Sequence, residues 1–114
     1  MSNPRHSDPN SGNLVLHDSS TTALEAAATW TSKTDVEIHT TQVTGSVFTD
    51  QASTLYVDQS PDGTNWDVSD SYAVSASSGV GFTVEKVAAY TRVRLLCGAT
   101  PQTTLRIYVY RRVR

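Results

Sequence analysis

The sequence predicts an all-β protein, an antiparallel β-sandwich of jelly-roll type with about eight short strands. Three observations predict this fold class. Serine and threonine supply 30 of the 114 residues and valine another 13, and β-branched side chains suit a pleated sheet better than a helix. Turn-forming residues recur roughly every 8–12 positions, the spacing of a sandwich or barrel. No segment has the periodicity of an amphipathic helix.

The first 13 residues contain two prolines, one glycine and almost no apolar side chain. Such a composition cannot bury enough surface to offset the entropy of ordering it. We therefore expect a flexible arm over residues 1–13 and a single β-sandwich domain over residues 14–114. The arm lacks the apolar core of a secretory signal peptide. Every apolar run is far shorter than the ~20 residues that span a bilayer, so we expect no membrane partner.

Alternating apolar residues predict several strands in the first half of the chain. Between Thr34 and Thr40, Val36 and Ile38 alternate with charged residues, which predicts a strand with one buried and one solvent-exposed face. Gly45 interrupts the next apolar run and predicts a bend or bulge. The predicted strands of this half lie at Leu14–Leu16, Ala27–Thr31, Thr34–Thr40 and Val43–Phe48.

The second half alternates more regularly and contains clearer turn signals. Ser60–Gly63 is a strong turn sequence, because Pro61 presets its own φ and Gly63 accepts a positive φ. Trp66 restarts the chain directly after that turn, and we predict that it is a buried anchor at the end of the hairpin. The predicted strands of this half lie at Leu55–Val57, Trp66–Val74, Phe82–Glu85, Tyr90–Leu96 and Leu105–Tyr110.

Charge is distributed very unevenly along the chain. The net charge is −2, but the residues before Lys86 sum to −9 and those from Lys86 onward sum to +7. The charges either cancel between neighbouring strands, or form a basic face that docks on an acidic surface or on a second copy of the chain. For the second case we expect a homo-oligomer, with a trimer favoured, and Arg92, Arg94 and Arg106 on one sheet face. The candidate interface residues are Arg92, Arg94, Arg106, Arg111, Arg112 and Arg114.

The most distinctive motif is the hairpin sequence S-x-D-G-x-x-W, which stands here as Ser60, Asp62, Gly63 and Trp66. Together with the strand Tyr90-Thr91-Arg92-Val93-Arg94 and the closing TTLRIYVYRR, it resembles discoidin-like sandwiches and the small β-sandwich proteins of tailed-phage virions. True discoidin modules are longer, usually secreted and usually closed by a disulfide, whereas this chain has one cysteine.

The resemblance therefore favours the phage proteins over the discoidin modules. It implies a virion protein, most specifically a capsid decoration or cement protein that binds the major capsid protein or another virion protein. No catalytic role and no cofactor would follow from such a function.

Other chemistries have weaker support in the sequence. Asp58-x-Ser60-x-Asp62-Gly63 copies the first half of a calcium loop, but Ser69 stands where the loop needs a bidentate glutamate. We therefore expect a hairpin turn and no metal. His6, His17 and His39 have no metal-ligand spacing, and no Gly-x-Ser-x-Gly nucleophile elbow is present. Cys97 follows an apolar strand and is expected in the core.

Carbohydrate and nucleic acid are the remaining partner classes. The five tyrosines and two tryptophans could form a sugar-stacking platform, so a glycan- or receptor-binding module of a phage tail is the alternative function. The arginines near Tyr108 and Tyr110 suggest phosphate contacts. However, the isoelectric point near 5.8 disfavours a dedicated nucleic-acid binder, which is usually basic overall.

Overall fold

The computed structural model describes residues 13–114, and these form eight strands in two packed sheets. All pairings are antiparallel; sheet 1 has the strand order β1-β8-β3-β6 and sheet 2 the order β2-β7-β4-β5. This is the strand order of a jelly roll, so the predicted fold class is confirmed. The strands are β1 Asn13–Ser20, β2 Thr29–Thr31, β3 Thr40–Thr49, β4 Ser53–Ser60, β5 Val68–Val74, β6 Ser78–Glu85, β7 Tyr90–Cys97 and β8 Leu105–Val113.

The core lies between the sheets and is built by alternation along each strand. Burial alternates strictly along β7, where every second residue from Thr91 to Cys97 is buried. The same alternation buries three residues of β8 and directs Arg106 and Tyr108 to the outer face. Leu24 and Trp30 pack against the core from its margin. The core residues are Val43, Val47, Leu55, Val57, Val74, Phe82, Val84, Val93, Leu95, Leu105, Ile107 and Val109.

The strand predicted at Thr34–Thr40 does not form, and this prediction was wrong. Asp35 makes a single bridge to Thr91, and its side chain accepts a hydrogen bond from the Glu37 amide at 3.0 Å. That local turn leaves the segment without a partner strand along its length. As a result, Val36 and Ile38 are exposed, Ile38 by 84%.

Gly45 does not mark a bend or bulge, which corrects a second prediction. The register of β3 runs through Gly45 without a shift against both neighbouring strands. A Cβ at this position would lie 2.1 Å from the Tyr108 carbonyl oxygen and 2.9 Å from the Phe82 ring. Glycine is needed because the neighbouring backbone and ring approach too closely for a side chain.

Most of the predicted N-terminal arm lies outside the described residues. The structure describes Asn13, which opens β1 and pairs with Val113.

One end of the sandwich contains the start of β1, the end of β8, the end of β6 and the β4–β5 turn. The segment from Asp35 to His39 crosses this same end, because Thr40 also pairs with Val113.

Candidate interaction surfaces

The six candidate arginines do not share one face. Arg92 and Arg94 lie on β7 and face outward from sheet 2, whereas Arg106 lies on β8 and faces outward from sheet 1. The expectation that these three line a single face was wrong, because β7 and β8 are successive in sequence but belong to different sheets. The other four candidates fall into two sets. Arg106 stands alone on the outer face of sheet 1, and Arg111, Arg112 and Arg114 lie at the end of β8.

Asp58 is the centre of the arginine group on sheet 2. Its carboxylate accepts hydrogen bonds from Arg92 Nε at 2.9 Å, from Arg94 Nε at 2.5 Å and from Arg94 Nη2 at 3.2 Å. Ser69 Oγ donates a fourth at 2.8 Å. These groups lie beside Asp58 because β4 pairs with β7 on one side and with β5 on the other. Two candidate interface arginines therefore share one ion-pair partner within the protein.

Aromatic rings hold both guanidinium groups in place. Arg92 lies 4.1 Å above the Trp66 ring and Arg94 lies 4.5 Å above the Tyr56 ring, which is cation–π geometry. Burial alone raises the pKa of Asp58, but hydrogen bonds from Arg94, Arg92 and Ser69 outweigh it and leave the pKa below its usual value. The hydrogen bond to Asp58 raises the pKa of Arg94.

Trp66 is not a buried anchor, so that prediction was wrong. It is partly exposed and lies outside the core. Its ring covers Arg92 on the outer face of sheet 2. The tryptophan of the motif therefore shields an ion pair from water, and the apolar core closes without it.

The Ser60–Gly63 turn explains the remaining residues of the motif. Asp62 Oδ1 accepts hydrogen bonds from the amides of Thr64 at 2.9 Å and Asn65 at 2.8 Å. These bonds lower the pKa of Asp62. The Gly63 amide donates to Ser60 Oγ at 2.8 Å, and Gly63 has a φ of 80°. Ser60 and Asp62 thus satisfy backbone groups of their own turn.

The third group lies at the end of β8. Arg112 Nε donates to Gln42 Oε1 at 2.8 Å. Within residues 13–114, the side chains of Arg111 and Arg114 make no hydrogen bond or ion pair. Arg111 pairs with the core residue Val43 and lines the same inner cavity as Asp35. Arg114 is exposed next to the segment that carries exposed Val36 and Ile38, since its amide donates to the His39 carbonyl at 3.2 Å. We name Val36, Ile38 and Arg114 the basic end.

The aromatic residues do not assemble into one platform. Tyr56 faces out from sheet 2, Tyr108 and Tyr110 face out from sheet 1, and Tyr72 packs on the core. Sheet 1 does carry a shallow depression of about 340 Å³ between Phe48, Tyr108 and Arg106. Its floor is open because a Cβ at Gly79 would meet nothing within 4 Å. Sequence reasoning missed this feature, since it depends on which strands lie on either side of β3.

Histidine, cysteine and acidic residues show no shared site. In the part of the chain that the structure describes, no three of them are grouped to hold a metal ion. His17 Nε2 lies 2.8 Å from the Lys33 carbonyl oxygen. Cys97 is buried and 2% exposed, as predicted for a core residue. Across residues 13–114 no helix is long and apolar enough to cross a membrane.

Comparison with known proteins identifies the family. The family described as "Uncharacterised protein YqxG N-terminal domain" matches residues 10–111. The chain belongs to this family. No curated protein sequence matches it significantly.

Two solved structures share the fold. The PBSX exported protein XepA is 18% identical with a TM-score of 0.81, and the match covers 96% of this chain. It covers 40% of XepA, so this chain corresponds to less than half the length of that protein. A subunit from the Bacillus endospore appendages, described as disulfide-linked pili, is 19% identical with a TM-score of 0.57, and 98% of each chain is covered. At these identities the likeness establishes the fold.

Proposed function

We propose that the protein is a non-catalytic structural subunit of a virion or a related extracellular particle, and that it acts as a homo-oligomer. The observation that carries the proposal is the basic end, where Arg114 is exposed beside the segment that carries exposed Val36 and Ile38. Exposed apolar groups mixed with arginine are typical of protein–protein contact surfaces. The two fold relatives, a PBSX exported protein and a pilus-forming endospore appendage, supply an analogy in the same direction.

The more specific assignment is a capsid decoration protein, with a trimer as the favoured oligomer and the major capsid protein as partner. A compact jelly roll with one unpartnered end suits attachment to a preformed shell. Three carboxylates support a structural role, because Asp50, Asp58 and Asp62 each accept several hydrogen bonds from neighbouring side chains or amides. Such carboxylates stabilise turns and pairs, whereas a general acid or base needs a free proton site.

Assembly would be non-covalent. The fold relative from endospores forms disulfide-linked pili, but this chain has one cysteine. Cys97 is 2% exposed, and a disulfide requires two sulfur atoms about 2.0 Å apart. Two buried Cys97 side chains on different copies cannot meet without unfolding. We therefore expect reducing agents to leave the oligomer unchanged.

Light scattering at low and high salt tests the proposal. Wild type is compared with a variant that ends at Tyr110, and thermal melting checks that the truncated β8 still folds. We expect an oligomer that weakens with salt, because exposed charges are screened beyond ~8 Å at physiological ionic strength. Truncation should weaken it further. Wild type that stays monomeric at every salt and protein concentration would refute self-assembly.

Attachment to a particle is a separate measurement. Phage heads or tails prepared without this protein are incubated with it and sedimented, and the bound fraction is compared between wild type and Arg114→Glu. We expect the charge reversal to reduce binding. Equal binding of both proteins would show that the basic end does not take part in the contact.

Carbohydrate binding is the second candidate, and the depression on sheet 1 favours it. Phe48 and Tyr108 border a cavity of about 340 Å³, within the range of ligand pockets. Arg106 lies 4.5 Å above the Phe48 ring and could receive an acidic sugar. A glycan array compares wild type with Gly81→Val, which fills the floor. Retention that survives the substitution would exclude the depression as the binding site.

A further inference from the structure

The two sheets present four edge strands, and three of them carry features that keep a further strand away. Native proteins blunt exposed edges in this manner, because the free backbone groups of an edge can pair with another chain. β1 is interrupted by a register shift between Leu16 and Asp18, and β2 has only three residues. Asp70 occupies an exposed, inward-facing position of β5, and an inward-facing charge is another such feature.

The fourth edge strand, β6, carries none of these features. It lies at the edge of sheet 1, and its residues Ser78–Glu85 pair with β3 without a register shift. The stretch from Ser78 to Val84 contains no charged residue and no proline. Gly79, Gly81 and Thr83 are exposed, so in the described part of the chain no loop covers this edge.

The backbone groups at the free edge of β6 belong to Gly79, Gly81 and Thr83. Thr44 Oγ1 donates a hydrogen bond to the Phe82 carbonyl at 2.8 Å, so the Phe82 carbonyl faces β3. Successive residues of a strand direct their backbone groups to opposite sides. The amides and carbonyls of Gly79, Gly81 and Thr83 therefore face away from β3, where no strand of the same copy receives them.

Glu85 marks the end of this open edge. Its carbonyl also points away from β3, but it already accepts a hydrogen bond from Gln59 Nε2 at 2.8 Å. The Glu85 side chain bonds to Gln42 on β3. Because both contacts lie within one copy, the open edge stops before Glu85 and is centred on Gly81.

The two glycines of the open edge are not required by their own copy. Neither Gly79 nor Gly81 has a positive φ. A Cβ at Gly79 would meet nothing within 4 Å, and one at Gly81 would lie 3.9 Å from the nearest atom, the Gly45 carbonyl oxygen. Glycine weakens the interior of a strand and often marks a close approach by another backbone. These positions therefore point to an approach from outside the copy.

We propose that the β6 edge pairs antiparallel with the β6 edge of a second copy, with Gly81 on the two-fold axis. In this register Gly81 faces Gly81 of the second copy, and Gly79 faces Thr83 on both sides of the axis. Each of these pairs exchanges two hydrogen bonds, so every backbone group that the edge leaves free finds a partner. Half-buried Val80 then lies opposite Phe82 of the second copy, which adds apolar contact on the inner face.

A second copy is the occupant that the edge itself favours. The uncharged stretch from Ser78 to Val84 is matched by the same stretch of the second copy, whereas its other edges would bring a register shift, a strand that is too short, or Asp70. The carboxylates of Asp70 and Glu85 line the groove beside Val84, so antiparallel pairing keeps the acids of the two copies at opposite ends. Two-fold homo-oligomers use the same surface on both subunits in this way. The contact goes beyond the proposed oligomer, because it adds one copy to each subunit independently of the basic end.

Opposite charges at position 81 test the pairing, because this residue faces itself only if it lies on the axis. Gly81→Lys and Gly81→Glu are studied alone and as an equimolar mixture by analytical ultracentrifugation, and thermal melting checks that both fold. We expect each variant alone to self-associate roughly tenfold more weakly than wild type, since like charges facing each other are costly. The mixture should restore association. Thr29→Lys, on edge strand β2 at the opposite side of the sandwich, is the matched control and should associate like wild type.

The outcomes separate this contact from the proposed oligomer. Wild type that is monomeric at every concentration refutes both. Association that survives Gly81→Lys but is lost in the variant that ends at Tyr110 supports the basic end and overturns the β6 pairing. Two variants that associate weakly and do not recover in the mixture also overturn the pairing, because position 81 would then not face itself.

Amide hydrogen exchange in the wild-type protein covers the case of unfolded variants. In the associated protein we expect the amides of Gly79, Gly81 and Thr83 to be protected, and on dilution to the monomer they should exchange rapidly. The amides of Val80 and Phe82 face β3 and should stay protected in both states. Rapid exchange of the edge amides in the associated protein refutes the pairing. Their protection in the dilute monomer also refutes it, because another part of the same chain would then cover the edge.

Discussion

Replacing Asp58 with asparagine is the most direct test of the electrostatic arrangement on sheet 2. The substitution keeps the size of the side chain and removes its charge. It leaves Arg92 and Arg94 side by side without a counter-ion, since both guanidinium groups bond to this carboxylate. The Asp58 side chain is 2% exposed and the arginines are 27% and 31% exposed.

The expected cost follows from these exposures. Breaking a buried ion pair costs about 3–5 kcal/mol when the remaining charge stays desolvated. Here water reaches both arginines, and the new amide oxygen still accepts one hydrogen bond. We therefore expect Asp58→Asn to lower the free energy of unfolding by about 2 kcal/mol. For a domain of this size that loss lowers the melting temperature by roughly 8 °C. The assay is urea and thermal unfolding at pH 7.

The stability difference between wild type and Asp58→Asn should also depend on pH. The folded-state pKa of Asp58 lies below its ordinary value, so its stabilisation is present above the unfolded pKa of ~3.9 and is lost as the pH falls through the folded value. The difference between wild type and Asp58→Asn should therefore be constant from pH 7 to about 5 and shrink below about 4.

Asp67→Asn serves as the control, because Asp67 is an exposed carboxylate on the same hairpin. If Asp58→Asn unfolds at the same urea concentration as Asp67→Asn, the ion pairs do not stabilise the fold. A difference that grows below pH 4 would also contradict the reasoning.

Three further predictions concern the fold. Trp66→Ala should cost about 1–2 kcal/mol in urea unfolding, because the ring covers Arg92 at the surface, and a loss of 3–5 kcal/mol would instead indicate a core position. Gly45→Ala should prevent folding or lower the melting temperature severely, since the new Cβ would lie 2.1 Å from the Tyr108 oxygen. Gly79→Ala should be neutral or stabilise the protein by up to about 1 kcal/mol, and similar melting of the two glycine variants would disprove the contrast. Cys97 should react with a thiol reagent only after unfolding, given its 2% exposure, and rapid reaction of the folded protein would contradict its burial.

Local patterns determined much of the fold. The alternation in β7 and β8 predicted which residues face the core, because neighbouring side chains of a strand point to opposite faces whatever its partner. The Ser60–Gly63 turn could be predicted for a similar reason, since each of its hydrogen bonds joins Ser60 or Asp62 to a residue at most three positions away. The all-β class followed from composition, and the position of Cys97 from its apolar neighbours.

The features that the sequence did not predict depend on strand pairing, which only the tertiary structure decides. Val36 and Ile38 have the pattern of a strand, but no neighbouring strand pairs along that segment, so they are exposed. Arg94 and Arg106 are similar in sequence context but contact different groups, because β7 and β8 belong to different sheets and only β7 lies beside Asp58. The groove beside Asp70 and Tyr72 combines β5 and β6, which are consecutive in the chain but form the edges of opposite sheets. No local pattern encodes such contacts, since they depend on how distant strands share a core.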